Sequence, residues 1–245
     1  MKISMAIFLL LILPFTNYSQ SIEISLNNGI VASQSNRISV FTNARNNNLV
    51  FSYSPSLAIS YASNKYSFGL TSRIVNISSR LNTDGQPQFE YRNNGYDLSI
   101  RSADIGLFVL SSIVNNSFIR IQIGTEFNFL PVSINNYPRV LADNYSFVSN
   151  GTEYEVNFRL NTIQVRDLNF GIVSHLNFDF KLTNHFFIGL NFFARLGFQE
   201  LSTNFVYYTI EPGFSANGID EYDYKLVNFG NLFGTQIGMK YLIFK

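Results

Sequence analysis

The side chains able to do chemistry in this chain are few. Among 245 residues there is no Cys, and there are 2 His. That removes thiolate nucleophiles, disulfides, Cys-ligated zinc and a Cys-linked lipid anchor together. His175 is followed four residues later by Asp179, a pairing that could serve acid–base chemistry if the two groups met. On a strand, where the rise is ~3.3 Å per residue, they stand too far apart for a direct hydrogen bond. His185 has no carboxylate cluster near it in sequence, so the two histidines make a poor metal site. Glu153 with Glu155, and Asp220, Glu221 and Asp223 among Tyr222 and Tyr224, could offer oxygen ligands to Ca²⁺. Their spacing is not that of a calcium loop. Glycosylation-type matches at Asn76, Asn115, Asn144 and Asn150 are expected by chance in a chain this rich in Asn. There is no phosphate-binding Gly loop, nucleophile elbow or paired-carboxylate motif, and no cofactor is implied. One larger set remains: Arg73, Arg101, Asp104, Arg120, Glu126, His175, Asp179, Lys181, Arg195 and Lys240. Each is read on the polar side of an alternating segment, so its role depends on where that side points.

Composition limits the possibilities. Charged residues make up 13% of the chain and aromatics 16%, with 25 Phe, 14 Tyr and no Trp. A soluble domain usually carries ~25% charge. The net charge of +1 leaves no electrostatic footprint for nucleic acid. With 46% apolar residues the chain is too hydrophobic to be disordered, yet too poor in charge for a water-facing exterior.

The amino terminus reads as an export signal. Met1-Lys2 precedes an apolar run from Ile3 to Phe15, broken by Ser4 and Pro14, and then polar Asn17 to Gln20. Ser19 suits the position before a cleavage site, so residues 1–19 are expected to be a signal peptide and 20–245 a single barrel domain. The run is shorter than the ~20 residues of a spanning helix. No apolar run of ~18 residues follows, so any membrane crossing must use strands.

From Ser21 onward the period is two. Ile119, Ile121, Ile123, Phe127 and Phe129 oppose Arg120, Gln122, Gly124, Glu126 and Asn128. Phe170, Ile172, Leu176, Phe178 and Phe180 oppose Asn169, Gly171, His175, Asn177, Asp179 and Lys181. Phe186 to Phe198 repeats the pattern, although Phe187 and Phe193 join the polar phase. Weaker strands run through Ile22–Ile30, Phe51–Tyr61, Tyr66–Ile74 and Leu98–Val109, and a last one from about Val227 to Phe244. Pro55 costs its strand a ladder donor and predicts an irregularity. A change of phase near Arg101 predicts either a bulge there or a later strand start.

Long and short connections alternate. Those around Ser63–Lys65, Val114–Asn116 and Thr183–Asn184 are tight and Asn-rich, as hairpins favour. Ser33–Asn48, Ser79–Gly95, Val132–Asp167 and Glu200–Lys225 are long. Short periplasmic turns and long external loops are the habit of outer-membrane barrels. The fold expected is all-β, a transmembrane antiparallel up-and-down barrel of 8 strands. Val132–Asp167 is long enough to hold two more strands, giving 10, or an extension above the membrane. The polar faces hold Ser, Asn, Gln and Gly with few Lys and Glu, so they should face the bore and the apolar faces lipid. Gly69, Gly106, Gly124, Gly189, Gly197, Gly234 and Gly238 lie on or near the polar phase, where a crowded bore needs room. An Arg turned to lipid at mid-membrane costs ~2–4 kcal/mol, which also sends Arg120 and Arg195 inward.

This layout resembles the small outer-membrane β-barrel proteins of Bacteroidota, the broad group that includes PorT-like proteins. The resemblance rests on the signal ending at Ser19-Gln20, the alternating hairpins and the final strand Gly238-Met239-Lys240-Tyr241-Leu242-Ile243-Phe244. Lys245 follows the last aromatic, and Phe244 is out of phase with Tyr241 and Ile243, which departs from the usual terminal strand. The resemblance implies residence in the outer membrane of a Gram-negative bacterium. It also implies insertion by the barrel-assembly machinery and, for some members, work beside secretion-system subunits. An 8-stranded bore is about filled by side chains. The charged set is therefore expected to pair into a structural network that closes the bore, with no enzyme activity. The alternatives are an outer-membrane enzyme, a narrow channel on the same barrel, or a soluble secreted barrel.

Overall fold

The computed structural model describes residues 21–39, 49–81, 96–132, 140–149, 151–164, 166–212 and 220–243. The expected signal peptide, residues 1–19, lies outside them. The strands are β1 (Ser21–Ser39), β2 (Leu49–Tyr53), β3 (Ser56–Ala62), β4 (Tyr66–Leu81), β5 (Tyr96–Asn115) and β6 (Ile119–Pro131). They continue with β7 (Val140–Ser149), β8 (Thr152–Gln164), β9 (Leu168–Lys181), β10 (Phe186–Gly197), β11 (Ser202–Pro212) and β12 (Asp220–Leu242). All pairings are antiparallel. The order β1-β3-β4-β5-β6-β9-β10-β12 closes on itself, because β12 also pairs with β1 from Glu23↔Leu242 to Ser39↔Tyr224. The result is the expected 8-stranded barrel.

The Pro55 irregularity splits the second strand. β1 carries β3 along Ser21–Asn27 and β2 along Ile30–Gln34, with Ser54-Pro55 between. Ser54 N donates to Gly29 O at 2.9 Å, and the Pro55 carbonyl accepts from Ile74 N at 2.9 Å. The wall therefore keeps its hydrogen bonds across the break. No bulge occurs near Arg101, nor does the strand start late. The β4–β5 ladder is unbroken from Tyr66↔Ser111 to Leu81↔Tyr96, and the shift in β5 falls instead at Ser112/Val114 against β6. The apolar phase changes near Arg101 while the backbone register does not.

Extra strands from the long connection do not enter the ring. β7 and β8 form a hairpin from Val140↔Asn161 to Ser149↔Thr152, and β8 pairs on its other edge with β11. β11 in turn pairs with the first part of β12, from Ser202↔Asn228 to Ile210↔Asp220. These strands carry β6, β9 and β10 onward past the barrel, at the end opposite the short connections 63–65, 116–118 and 182–185. By the loop rule that end is external, so the long connection builds an external sheet rather than a ninth and tenth barrel strand.

The distribution of side chains is inside-out relative to a soluble protein. Leu107 is 62% exposed and Ile237 64%, whereas Arg73 is 1% and Asp104 0%. Apolar residues of every barrel strand face outward, where only hydrocarbon can cover them. An Ile237→Arg substitution, at mid-height on this face, should therefore destabilise the barrel by about 2–4 kcal/mol in urea unfolding from lipid vesicles. Unchanged unfolding would place that face in water.

Candidate functional site

The bore is filled in layers, and strand alternation sets each one. The inner layer lies near the short turns. Arg120 on β6 donates from Nη1 and Nη2 to the two Glu23 oxygens at 2.5 and 3.0 Å. Its Nε and Nη2 reach Asp179 Oδ2 at 3.0 and 2.9 Å. Lys240 Nζ donates to the same Asp179 oxygen at 2.7 Å and lies 3.8 Å from Glu23. The Phe187 ring lies under the Arg120 guanidinium at 5.1 Å. Four strands, β1, β6, β9 and β12, are thus joined through one arginine and one lysine.

Above it the lining is mostly neutral and small. Gln122 Nε2 donates to Ser67 Oγ at 2.9 Å, and Gln236 Nε2 to the Ser54 carbonyl at 2.8 Å, with Ser56 Oγ donating back to Gln236 Oε1 at 3.2 Å. A cavity of about 60 Å³ remains at this level.

The outer layer is built on Asp104, Glu126 and two arginines. Arg73 donates to Asp104 at 2.9 Å and to Glu126 Oε2 at 3.3 Å, and its guanidinium stacks over Phe193 at 4.3 Å. His175 Nε2 lies 2.9 Å from Glu126 Oε2. Asn128 Nδ2 donates to both Asp104 oxygens at 2.7 and 2.8 Å, and Asn128 Oδ1 accepts from Arg195 Nε at 3.2 Å. Arg195 then reaches Asn169 Oδ1 at 2.8 Å and the Gly230 carbonyl at 2.6 Å. Gly230 has φ of 71°, a conformation side-chain-bearing residues avoid, and this presents its carbonyl to Arg195. Gly106 clears room for Glu126: a Cβ there would sit 2.4 Å from Glu126 Oε1.

An apolar cap closes the external end. Val31, Val75, Ile77, Leu130, Val132, Leu201 and Leu232 cluster there, all on inward positions or the β10–β11 connection, and none exceeds 7% exposure. Beneath the cap, four buried cations (Arg73, Arg120, Arg195, Lys240) face four buried carboxylates (Glu23, Asp104, Glu126, Asp179), so these charges sum to zero.

The structure brings together Arg73, Asp104, Glu126, His175 and Arg195 in one layer and Arg120, Asp179 and Lys240 in the other. His175 and Asp179 therefore belong to different layers. Arg101 departs from the expectation: it is exposed, because it shares the outward phase of Ala103, Ile105 and Leu107 while Asp104 faces in. Lys181 is half-buried at the inner mouth. Glu23 was missed by the sequence reading, though its signal was present, since it alternates with Ile22 and Ile24 and shares the phase of Ser25. Glu153 and Glu155 are exposed on β8, and the side chains of Asp220, Glu221 and Asp223 lie outside the described residues. No group of three or more His, Asp or Glu suited to a metal occurs among the described residues.

No protein-family model matches the chain, and no curated protein sequence does. Among solved structures, outer membrane protein OprG from Pseudomonas aeruginosa aligns over 93% of this chain and 98% of its own, with TM-score 0.52 and 11% identity. Neisserial surface protein A aligns over 90% and 96%, with TM-score 0.44 and 7% identity. The outer membrane protease OmpT from Escherichia coli aligns over 91% and 97%, with TM-score 0.36 and 11% identity. The likeness to OprG is one of fold. Together with the closed ring, the apolar exterior and the polar filled bore, it defines the class: an outer-membrane β-barrel protein of the Gram-negative type.

Removing one member of a buried pair strands its partner, at a cost of about 3–5 kcal/mol. Asp104→Asn should approach that loss in vesicle-based unfolding, whereas Arg101→Ala should stay within about 0.5 kcal/mol. Equal effects would contradict the inward and outward assignments.

Proposed function

We propose that the protein is a closed, non-conducting barrel anchored in outer-membrane lipid, with a structural, binding or secretion-accessory role of the PorT-like kind. Its working part is the external sheet. The observation that carries this reading is the filling of the bore: two layers of paired charge lie beneath an apolar cap. An ion crossing it would have to break paired guanidinium–carboxylate contacts and then pass a dry aliphatic constriction. A side chain set for catalysis should be reachable by substrate, but His175 is buried against Glu126, so the reading assigns the barrel no reaction. The external sheet supports a binding role, because a membrane anchor alone has no need of strands extended past the lipid. β7 pairs only with β8 among the described residues, so its other edge is available to an extended partner segment. The end of β12 with Tyr241, and Ile243 just beyond it, is the segment for the barrel-insertion machinery to engage.

Purified protein in a planar bilayer should show no unitary currents, and discrete conductance steps would overturn the closed-bore reading. Mild-detergent isolation of the native protein should recover secretion-machinery subunits if the PorT-like role holds. Recovery of the barrel alone would remove that role. His175→Ala should leave lipid and peptide profiles of the membrane unchanged, and an altered profile would restore the enzyme alternative.

A further inference from the structure

The external strands repeat the order of the barrel strands beneath them. β11 pairs with β12 as β10 does, β8 pairs with β11 as β9 does with β10, and β7 pairs with β8 as β6 does with β9. β7 therefore takes the place of β6 beside β5, yet among the described residues it has no ladder on that side. The edge is long and regular, since its ladder with β8 runs without a shift from Val140↔Asn161 to Ser149↔Thr152. Its one charged residue is Asp143, and it holds no Lys, Pro or Gly. Edges meant to stay in water are blunted by Lys, Pro or a bulge. β7 has none of these, so its free side is a template for another strand.

The sheet behind the edge sets the chemistry of that strand. Ser146, Val148, Glu153 and Glu155 are exposed, with Ser146 opposite Glu155 and Val148 opposite Glu153, while Tyr154 between the glutamates is half-buried. Along the same phase Glu155 stands opposite Glu211, and Glu221 and Asp223 take register positions opposite Thr209 and Tyr207. Arg159 and Lys225 are the basic residues of that phase, and both lie toward the barrel. Like charges opposite one another repel, so the far end of this face favours added cations. The other phase of β7 carries Leu141, Tyr145 and Phe147. We propose that the free edge of β7 takes up an extended segment of another protein in which Lys or Arg alternates with apolar or aromatic residues. Its main chain continues the ladder, its basic side chains reach across Ser146 and Val148 toward Glu155 and Glu153, and its apolar side chains extend the row of Tyr145 and Phe147. A second copy of this chain would bring an equal set of acids to the same face, which repulsion disfavours. The proposal rests on the external sheet being the working part and names the chemistry of what it binds.

The test uses the whole mature barrel in zwitterionic lipid nanodiscs and follows amide hydrogen exchange along β7. The probe is a peptide as long as β7 in which Lys alternates with Val and Tyr. In the protein alone, alternate β7 amides should exchange freely, and the peptide should protect them. Replacing each Lys of the peptide by Glu should weaken binding about tenfold or more, and N-methylation of every residue should abolish protection. Glu153→Lys combined with Glu155→Lys, at two exposed positions, should reverse the preference and admit the Glu peptide. Protection of β7 before any peptide is added would show the edge covered by the chain itself or by a second copy, and would overturn the proposal. Equal protection by both peptides, or by neither, would overturn it too. These outcomes are separate from those that decide the secretion role. Protection by the Lys peptide without recovery of secretion subunits keeps the edge and removes that role, whereas recovery without protection does the reverse.

Discussion

In hydrocarbon no backbone N–H or C=O can turn to water, so a sheet that crosses a membrane must have no open edge. The β1–β12 ladder meets that requirement here, and the rest of the structure follows from it. Closure with eight strands fixes a bore about as wide as the side chains that fill it. Each strand must then send one phase to lipid and the other into a space with no bulk water. That space admits charge only in balanced, hydrogen-bonded sets. The pairing of Arg120 with Glu23 and Asp179, and of Arg73 with Asp104 and Glu126, is what a narrow closed ring demands of polar side chains once it has them.

The two layers differ in how they meet that demand. The inner one is compact, with a bidentate arginine and a lysine sharing one carboxylate. The outer one spreads its charge through neutral amides, with Asn128 standing between Asp104 and Arg195 and Asn169 taking the far side of the same guanidinium. Aromatic faces complete both: Phe187 beneath Arg120 and Phe193 beneath Arg73. Buried ion pairs seldom stabilise a fold more than well-packed apolar residues would, and their better attested use is to specify one arrangement. In a barrel whose outer face meets a fluid, featureless solvent, register must be specified from within, and these layers join strands that are not neighbours in the ring.

Much of this was legible in the sequence because lipid and lumen impose opposite chemistry on alternate residues. The segments around Ile119–Phe129 and Phe170–Phe180 declared both faces, and with them Arg120, Glu126, His175 and Asp179. Where a strand leaves the membrane the contrast fades. Arg101 sits near the outer end of β5, where an outward arginine no longer faces hydrocarbon, so polarity ceased to mark direction. The cap was hidden for the converse reason, since Leu130, Val132 and Leu232 are apolar residues on the inward phase and read as lapses in the pattern. Phe187 and Phe193 looked like lapses too and are ring partners of arginines. The external sheet could be anticipated only as one of two outcomes for Val132–Asp167. Alternation shows that a segment is a strand but not which ring, if any, it joins.

The seam itself has a temporal meaning. It joins the first described strand to the last, and the inner layer straddles it, with Glu23 from β1 meeting Lys240 from β12 through Asp179 and Arg120. Contacts so distant along the chain are the slowest to form, because loop entropy must be lost before they bring any gain. Every other barrel ladder joins strands in chain order, with external strands inserted between some, and can zip by successive hairpins. The seam cannot form until the last strand arrives. The Glu23–Asp179–Arg120–Lys240 cluster is therefore a latch that sets only at completion, and before then its charges belong to an open, water-accessible groove. An unfinished barrel is left with two live edges and an unlatched interior, a state that a bilayer rejects.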